Sequence, residues 1–190
     1  MGGILSGWNP LRVKCKAFRT FVGILLKAQF RGSTTSLFIL NCYSPCLHRE
    51  SFWNAIARGG LLSLPNLILA GDLNLTLNVS EVWGKKALLD PLGPFFTKLF
   101  SNFQLMDVAP SCAGPTWRNG RLGAEGICKR LDGFLLSFNL VDLLPQHRVW
   151  SFPSVVSDHY PILFEWMEDP VSSPLPFKFN HSWMSNVEFI

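Results

Sequence analysis

The run Leu67–Ala70 is uninterrupted apolar sequence, and it ends abruptly in Gly71, Asp72, Leu73 and Asn74. A carboxylate and an amide two residues apart share one face if the strand continues through them. Such a pair suits a phosphodiester: the amide donates to an oxygen while the carboxylate orients a water or takes its proton. Asp and Asn also favour turns, so a simple turn at a strand end is the competing reading. A second candidate is "VVSDHYPI", where Asp158 and His159 interrupt an apolar stretch. The acid suits a hard cation such as Mg²⁺, and the imidazole can hydrogen-bond a phosphate oxygen. A third is Asp132 in "KRLDGFLLS", inside an apolar strand where an unpaired carboxylate is costly. His159 is its expected partner, because a carboxylate that fixes an imidazole's tautomer is a recurrent catalytic device. Tyr43 in "NCYSP" adds a phenol at a strand end.

These residues need strands to hold them. Phe21–Leu26 and Ser36–Tyr43 read as strands, with Gly32-Ser33 as the turn between them. Ser44 and Pro45 fit the cap and first position of a helix carrying Phe52, Trp53 and Ile56, which Arg58-Gly59-Gly60 ends. Leu67–Ala70 fits a strand buried on both faces. Pro91–Phe103 reads as a second helix with Phe95, Phe96, Leu99 and Phe103 inward. Short strands are expected at Leu105–Val108, Thr116–Arg118, Leu131–Leu136, Arg148–Phe152 and Tyr160–Trp166. Strands with interspersed helices in mixed order point to an α/β or α+β sandwich. Residues 1–167 form the expected domain. Residues 168–190, rich in Pro and Ser at their start, read as a linker tail.

The bulk numbers bound the rest. A chain of 190 residues can bury one sizeable core, and its 48% hydrophobic and 16% charged residues make it apolar. The net charge of +4 is compatible with nucleic acid, but no dense Lys/Arg stripe stands out in the linear sequence. The cysteines are five, an odd number without C-x-x-C spacing, which suggests reduced and mostly buried thiols in an intracellular protein. No signal peptide or spanning segment is visible. "MGGILS" matches the N-myristoylation pattern at Gly2, or is simply the start of a strand.

"NCYSP", "LAGDLN", "RLDGFLLS" and "VSDHYPI", in this order, resemble the blocks of the endonuclease/exonuclease/phosphatase superfamily, which includes apurinic/apyrimidinic endonucleases and deoxyribonuclease I. The texture of "GGILSGWNP", "NVSEVWG" and "PTWRNG" is similar to the endonuclease domain of plant LINE-type (non-LTR) retrotransposons. The tail "PFKFNHSWMSN" resembles the segment leading toward a reverse transcriptase. The resemblance implies a β-sandwich flanked by helices and a Mg²⁺-dependent phosphodiesterase that nicks DNA. It implies that Asp72 activates water, Asn74 and Tyr43 contact the phosphate, His159 holds a phosphate oxygen, Asp132 orients His159, and Asp158 binds metal. Leu73 stands where Phe is common, and Gly133 where the retrotransposon type often has Arg.

Two blocks of that pattern are not found: an N-terminal strand with a catalytic Asn, and a Q-E-T strand whose Glu is the principal metal ligand. Asn9 precedes Pro10 and is not that Asn, and Glu50 falls in a predicted helix. The expectation is therefore a sandwich lacking its first strands, with weak metal binding, little or no activity and an exposed sheet edge. The alternative is a non-catalytic fragment that binds another chain through that edge.

Overall fold

The computed structural model describes residues 4–85, 88–144 and 146–166. Three strands come first: β1 (Val13–Arg19), β2 (Gly23–Phe30) and β3 (Ser36–Tyr43), joined as consecutive antiparallel hairpins. Helix α1 (Arg49–Arg58) then carries the chain over to β4 (Leu67–Asp72), which lies parallel to β3. Next come β5 (Val82–Trp83), α2 (Gly93–Asn102) and β6 (Leu105–Asp107). The hairpin β7 (Trp117–Arg118) and β8 (Cys128–Lys129) leads into β9 (Asp132–Ser137). A short α3 (Phe138–Leu143) precedes the final pair, β10 (His147–Ser151) and β11 (Ile162–Trp166).

Six strands form the main sheet, in the order β1-β2-β3-β4-β9-β6. Strand alternation gives it two apolar faces. Leu25, Leu40, Leu67 and Leu69 meet α1 and α2 in one core, where Trp53 packs edge-on to Phe96 and Phe100. Ile68, Phe134 and Leu136 face the other way and meet α3 and the β10–β11 pair, with Phe164 and Trp166 packed against them. The mixed α/β sandwich expected from the sequence is the observed architecture.

Several local expectations need correction. Helix α1 begins at Arg49, not after Ser44, and His48 occupies the cap position in the left-handed region. Ser44 is instead buried beside the end of β4, where its N–H donates to the Asp72 carbonyl at 2.8 Å. Ile4 and Leu5 are not in a strand. Only Cys42 is buried among the cysteines: Cys15 and Cys128 are half-buried, and Cys46 and Cys112 are exposed, all five being free thiols. Phe100, unassigned in the sequence reading, is a core residue of α2, while Phe95 and Phe103 only pack against its margin. Gly2 and the segment 168–190 lie outside the described residues. Among the described residues no helix is long and apolar enough to cross a membrane.

Candidate active site

Strand β4 delivers Asp72 to the end of the sheet because Gly71 lets β3 come close. Gly71 has φ +128°, and a Cβ on it would lie 2.2 Å from the Cys42 carbonyl oxygen. The strand stops at Asp72, so Asp72 and Asn74 do not share a face by continuing strand geometry. Leu73 turns into the core, and Asn74 adopts φ +52°. The turn nonetheless brings the two side chains together. The Asn74 N–H donates to Asp72 Oδ1 at 3.1 Å, and its Nδ2 lies 3.5 Å from Asp72 Oδ2. Nδ2 also donates to the Ser44 carbonyl at 3.0 Å, which sets the direction of the amide. The Arg49 guanidinium, paired with Asp90, donates to the Asn74 carbonyl at 2.8 Å and holds the turn from outside.

Asp132 opens β9 directly opposite Asp72 in the antiparallel register. Its Oδ2 lies 2.9 Å from His159 Nδ1, so the pairing expected from the sequence is present. His159 Nε2 points back toward Asp72 Oδ2 at 4.0 Å. Tyr43, the register partner of Asp72 on β3, stands exposed at the rim. Asp158 is exposed, with its Oδ2 accepting a hydrogen bond from Trp117 Nε1 at 3.0 Å. A cavity of about 550 Å³ gathers Tyr43, Asp72, Asp132, Asp158 and His159, with Ile4, Leu5 and Asn41 also lining it. An adjoining groove of about 640 Å³ shares Asp72, Asp158 and His159 and reaches Asn74, Trp117 and Lys129. All six residues singled out in the sequence therefore surround one continuous depression.

The residues that hold this arrangement were not singled out in the sequence. Buried Thr116 accepts the N–H groups of Leu131 and Asp132 on its hydroxyl, both at 2.9 Å. Its carbonyl accepts the Tyr160 N–H at 2.7 Å, and Trp117 bridges to His159. The Leu131 carbonyl accepts from both Leu73 and Asn74. "PTWRNG" thus ties the Asp158-His159 loop, the start of β9 and the Asp72 turn into one unit. The sequence marked this stretch only by a short strand between turns and by the family-like texture of "PTWRNG", with no role for Thr116 or Trp117.

The charges are crowded. Burial, then the nearby Asp132 charge, pushes the Asp72 carboxyl up to about 6, against relief from His159 and the Asn74 N–H. Burial also raises Asp132, although hydrogen bonds from His159 and Thr116 oppose it. For His159, burial disfavours the cation, but the Asp132 hydrogen bond and the charges of Asp132, Asp72 and Asp158 outweigh it and raise its pKa. The Trp117 hydrogen bond lowers Asp158. Donor atoms of Asp72, Asp132 and His159 lie within 4.8 Å of one another. With Asp158 on the same depression, these carboxylates fit a divalent cation, which would offset the Asp132 and Asp158 charges that add to burial in raising Asp72.

No family model matches the chain, and no curated protein matches it. Among solved structures it is similar to the endonuclease domain of TRAS1, a telomere-specific non-LTR retrotransposon, at 19% identity and a TM-score of 0.65. That match covers 83% of this chain and 70% of the TRAS1 domain. It is also similar to the AP endonuclease LMAP from Leishmania major, at 18% identity and a TM-score of 0.53. Here 77% of this chain and 55% of the LMAP chain are covered, so the chain spans little more than half of that enzyme. At these identities the likeness is one of fold: the chain shares the fold of a retrotransposon endonuclease domain and of an AP endonuclease.

Proposed function

We propose that the chain carries a metal-assisted phosphodiester-hydrolysing site directed at DNA, with weakened metal binding and correspondingly slow turnover. The observation that carries this reading is the convergence of the Asp132–His159 pair on Asp72 and Asn74 across one depression. In this reading Asp72, ionised, orients the attacking water and takes its proton. Asn74 Nδ2 donates to a non-bridging phosphate oxygen. Asp132 accepts from His159 Nδ1–H and favours the imidazolium, so that Nε2–H donates to a second phosphate oxygen beside Asp72. The phenol of Tyr43, exposed at the rim, donates to the same phosphate. The likeness to endonuclease folds supports a nucleic-acid backbone as the phosphodiester.

A divalent ion such as Mg²⁺, when bound, would supply Lewis-acid stabilisation of charge on the phosphate, held by Asp158 with Asp72 beside it. Among the described residues no glutamate lines either part of the depression, and Asp158 is exposed with one oxygen engaged by Trp117. An ion resting on so few carboxylates is held weakly, since Mg²⁺ sheds its waters reluctantly. The test is nicking of supercoiled plasmid with Mg²⁺ and with EDTA, alongside Asp158→Ala. Slow nicking that needs Mg²⁺, and needs more of it in the variant, is expected. Nicking that survives EDTA, or none by folded protein at any Mg²⁺ concentration, would overturn the reading.

A further inference from the structure

Seven lysines and arginines precede the first acid, Glu50, whereas the ten that follow are outnumbered by thirteen acids. Much of this imbalance falls on the β1–β2 ribbon. Lys14, Lys16 and Lys27 look scattered in sequence, but the register assembles them. Lys16 stands directly opposite Lys27, and Lys14 opposite Gln29. On β3 the partner of Lys27 is Phe38, so Lys16, Lys27 and Phe38 make one row across three strands. Leu25, two residues before Lys27, lies in the core beneath α1, which places the row on the helix-bearing face. All three lysines are exposed. The Lys16 ammonium sits 5.1 Å from the centre of the Phe18 ring, and that of Lys27 sits 5.8 Å from the Phe38 ring. Among the described residues no acid pairs with any of the three.

Like charges directly opposite on paired strands repel and weaken the sheet. Lysines on β1 are accounted for as guards of the outermost strand against edge-to-edge pairing. Lys27 is not, because β2 has strands on both sides. The aromatic rings support the ammonium groups without neutralising them. An uncompensated row of cations interleaved with aromatic carbon is complementary to a polyanion that also carries flat apolar groups, which describes a nucleic-acid strand.

We propose that the helix-bearing face of the β1–β2 ribbon is a second nucleic-acid-binding surface, separate from the Asp72–His159 depression. The two lie on opposite faces of one sheet, since Asp72 shares its face with Ile68 and Ala70 of the other core. Binding on the ribbon is electrostatic and indifferent to sequence, and does not depend on whether the depression cleaves.

The test is fluorescence anisotropy of the full chain with labelled single- and double-stranded oligonucleotides, in EDTA and over a salt series. Wild type is compared with Lys14→Gln/Lys16→Gln/Lys27→Gln and with Lys27→Gln alone. The triple variant is expected to bind about tenfold more weakly at low salt, and its log K against log salt slope on duplex is expected to fall by about 2–3. Lys27→Gln alone gives about a third of that change. Equal affinity and slope in wild type and triple variant overturn the proposal. So does a triple variant that loses binding to phosphatidylserine vesicles yet holds DNA as wild type does. Because EDTA suppresses hydrolysis, neither outcome is confused with failure of the catalytic reading.

Discussion

Asp72 is the residue on which the site's acid–base behaviour turns. Its carboxyl, pushed up to about 6 by burial and then by Asp132, is protonated in mild acid and ionised at neutrality. A base must be ionised to act, so hydrolysis is predicted to rise as pH passes through the Asp72 pKa, about 6 without a cation and lower once one is bound. Asp132→Asn removes a charge that raises Asp72 and should move that limb to lower pH; an unmoved limb in a pH–rate profile would show that Asp72 does not report it. The stability sign is opposite. A carboxyl whose folded pKa is raised binds its proton more tightly when folded, so its ionisation withdraws stability between about pH 4 and pH 6. Activity and stability thus pull apart at one residue. Tyr43, Asp72, Asn74, Asp132, Asp158 and His159, which gather at the depression, stand out in the sequence through four short blocks in order and, for Asp132, through a carboxylate in an apolar strand. Thr116 and Trp117 do not, because hydroxyls and indoles are ordinary in strands and their roles exist only through backbone contacts made in three dimensions.

At the scale of elements, the site depends on how closely β3 and β4 approach. Gly71→Ala would set a methyl 2.2 Å from the Cys42 carbonyl at a backbone angle hostile to L side chains. Relief requires the parallel β3–β4 pairing to part, just where it aligns Tyr43 with Asp72. A loss of about 2–4 kcal/mol in denaturant unfolding is predicted, and a change within about 0.5 kcal/mol would show that the approach is not needed. Strand identity was readable from β-branched and aromatic runs, and α2 from its helical spacing. The start of α1 was misjudged because Ser44-Pro45 has the chemistry of a helix start, yet the Ser44 backbone is already committed to Asp72 and Asn74. The basic row on β1–β2 was invisible for a related reason. Charges eleven residues apart in sequence, Lys16 and Lys27, become neighbours only once the hairpin register is known.

Across the whole molecule, one sheet separates two chemistries. Its site face ends in carboxylates whose affinity for protons is raised by burial and, after it, by neighbouring carboxylates. Its helix-bearing face ends in exposed lysines on the β1–β2 ribbon, with no acid paired to them among the described residues. The acidic end needs a cation to meet a phosphate, and the basic ribbon needs none. This division follows from charge segregation along the chain, with no acid before Glu50. The central claim, that the Asp72 depression is where a phosphodiester is cut, is tested most directly by single-turnover nicking of plasmid by Asp72→Asn at saturating Mg²⁺, with thermal melts of both proteins in EDTA. The account predicts a rate about 10²–10⁴ lower than wild type, in a protein stabilised by about 1–2 kcal/mol at neutral pH. Nicking within a few-fold of wild type by an equally well-folded variant would contradict it.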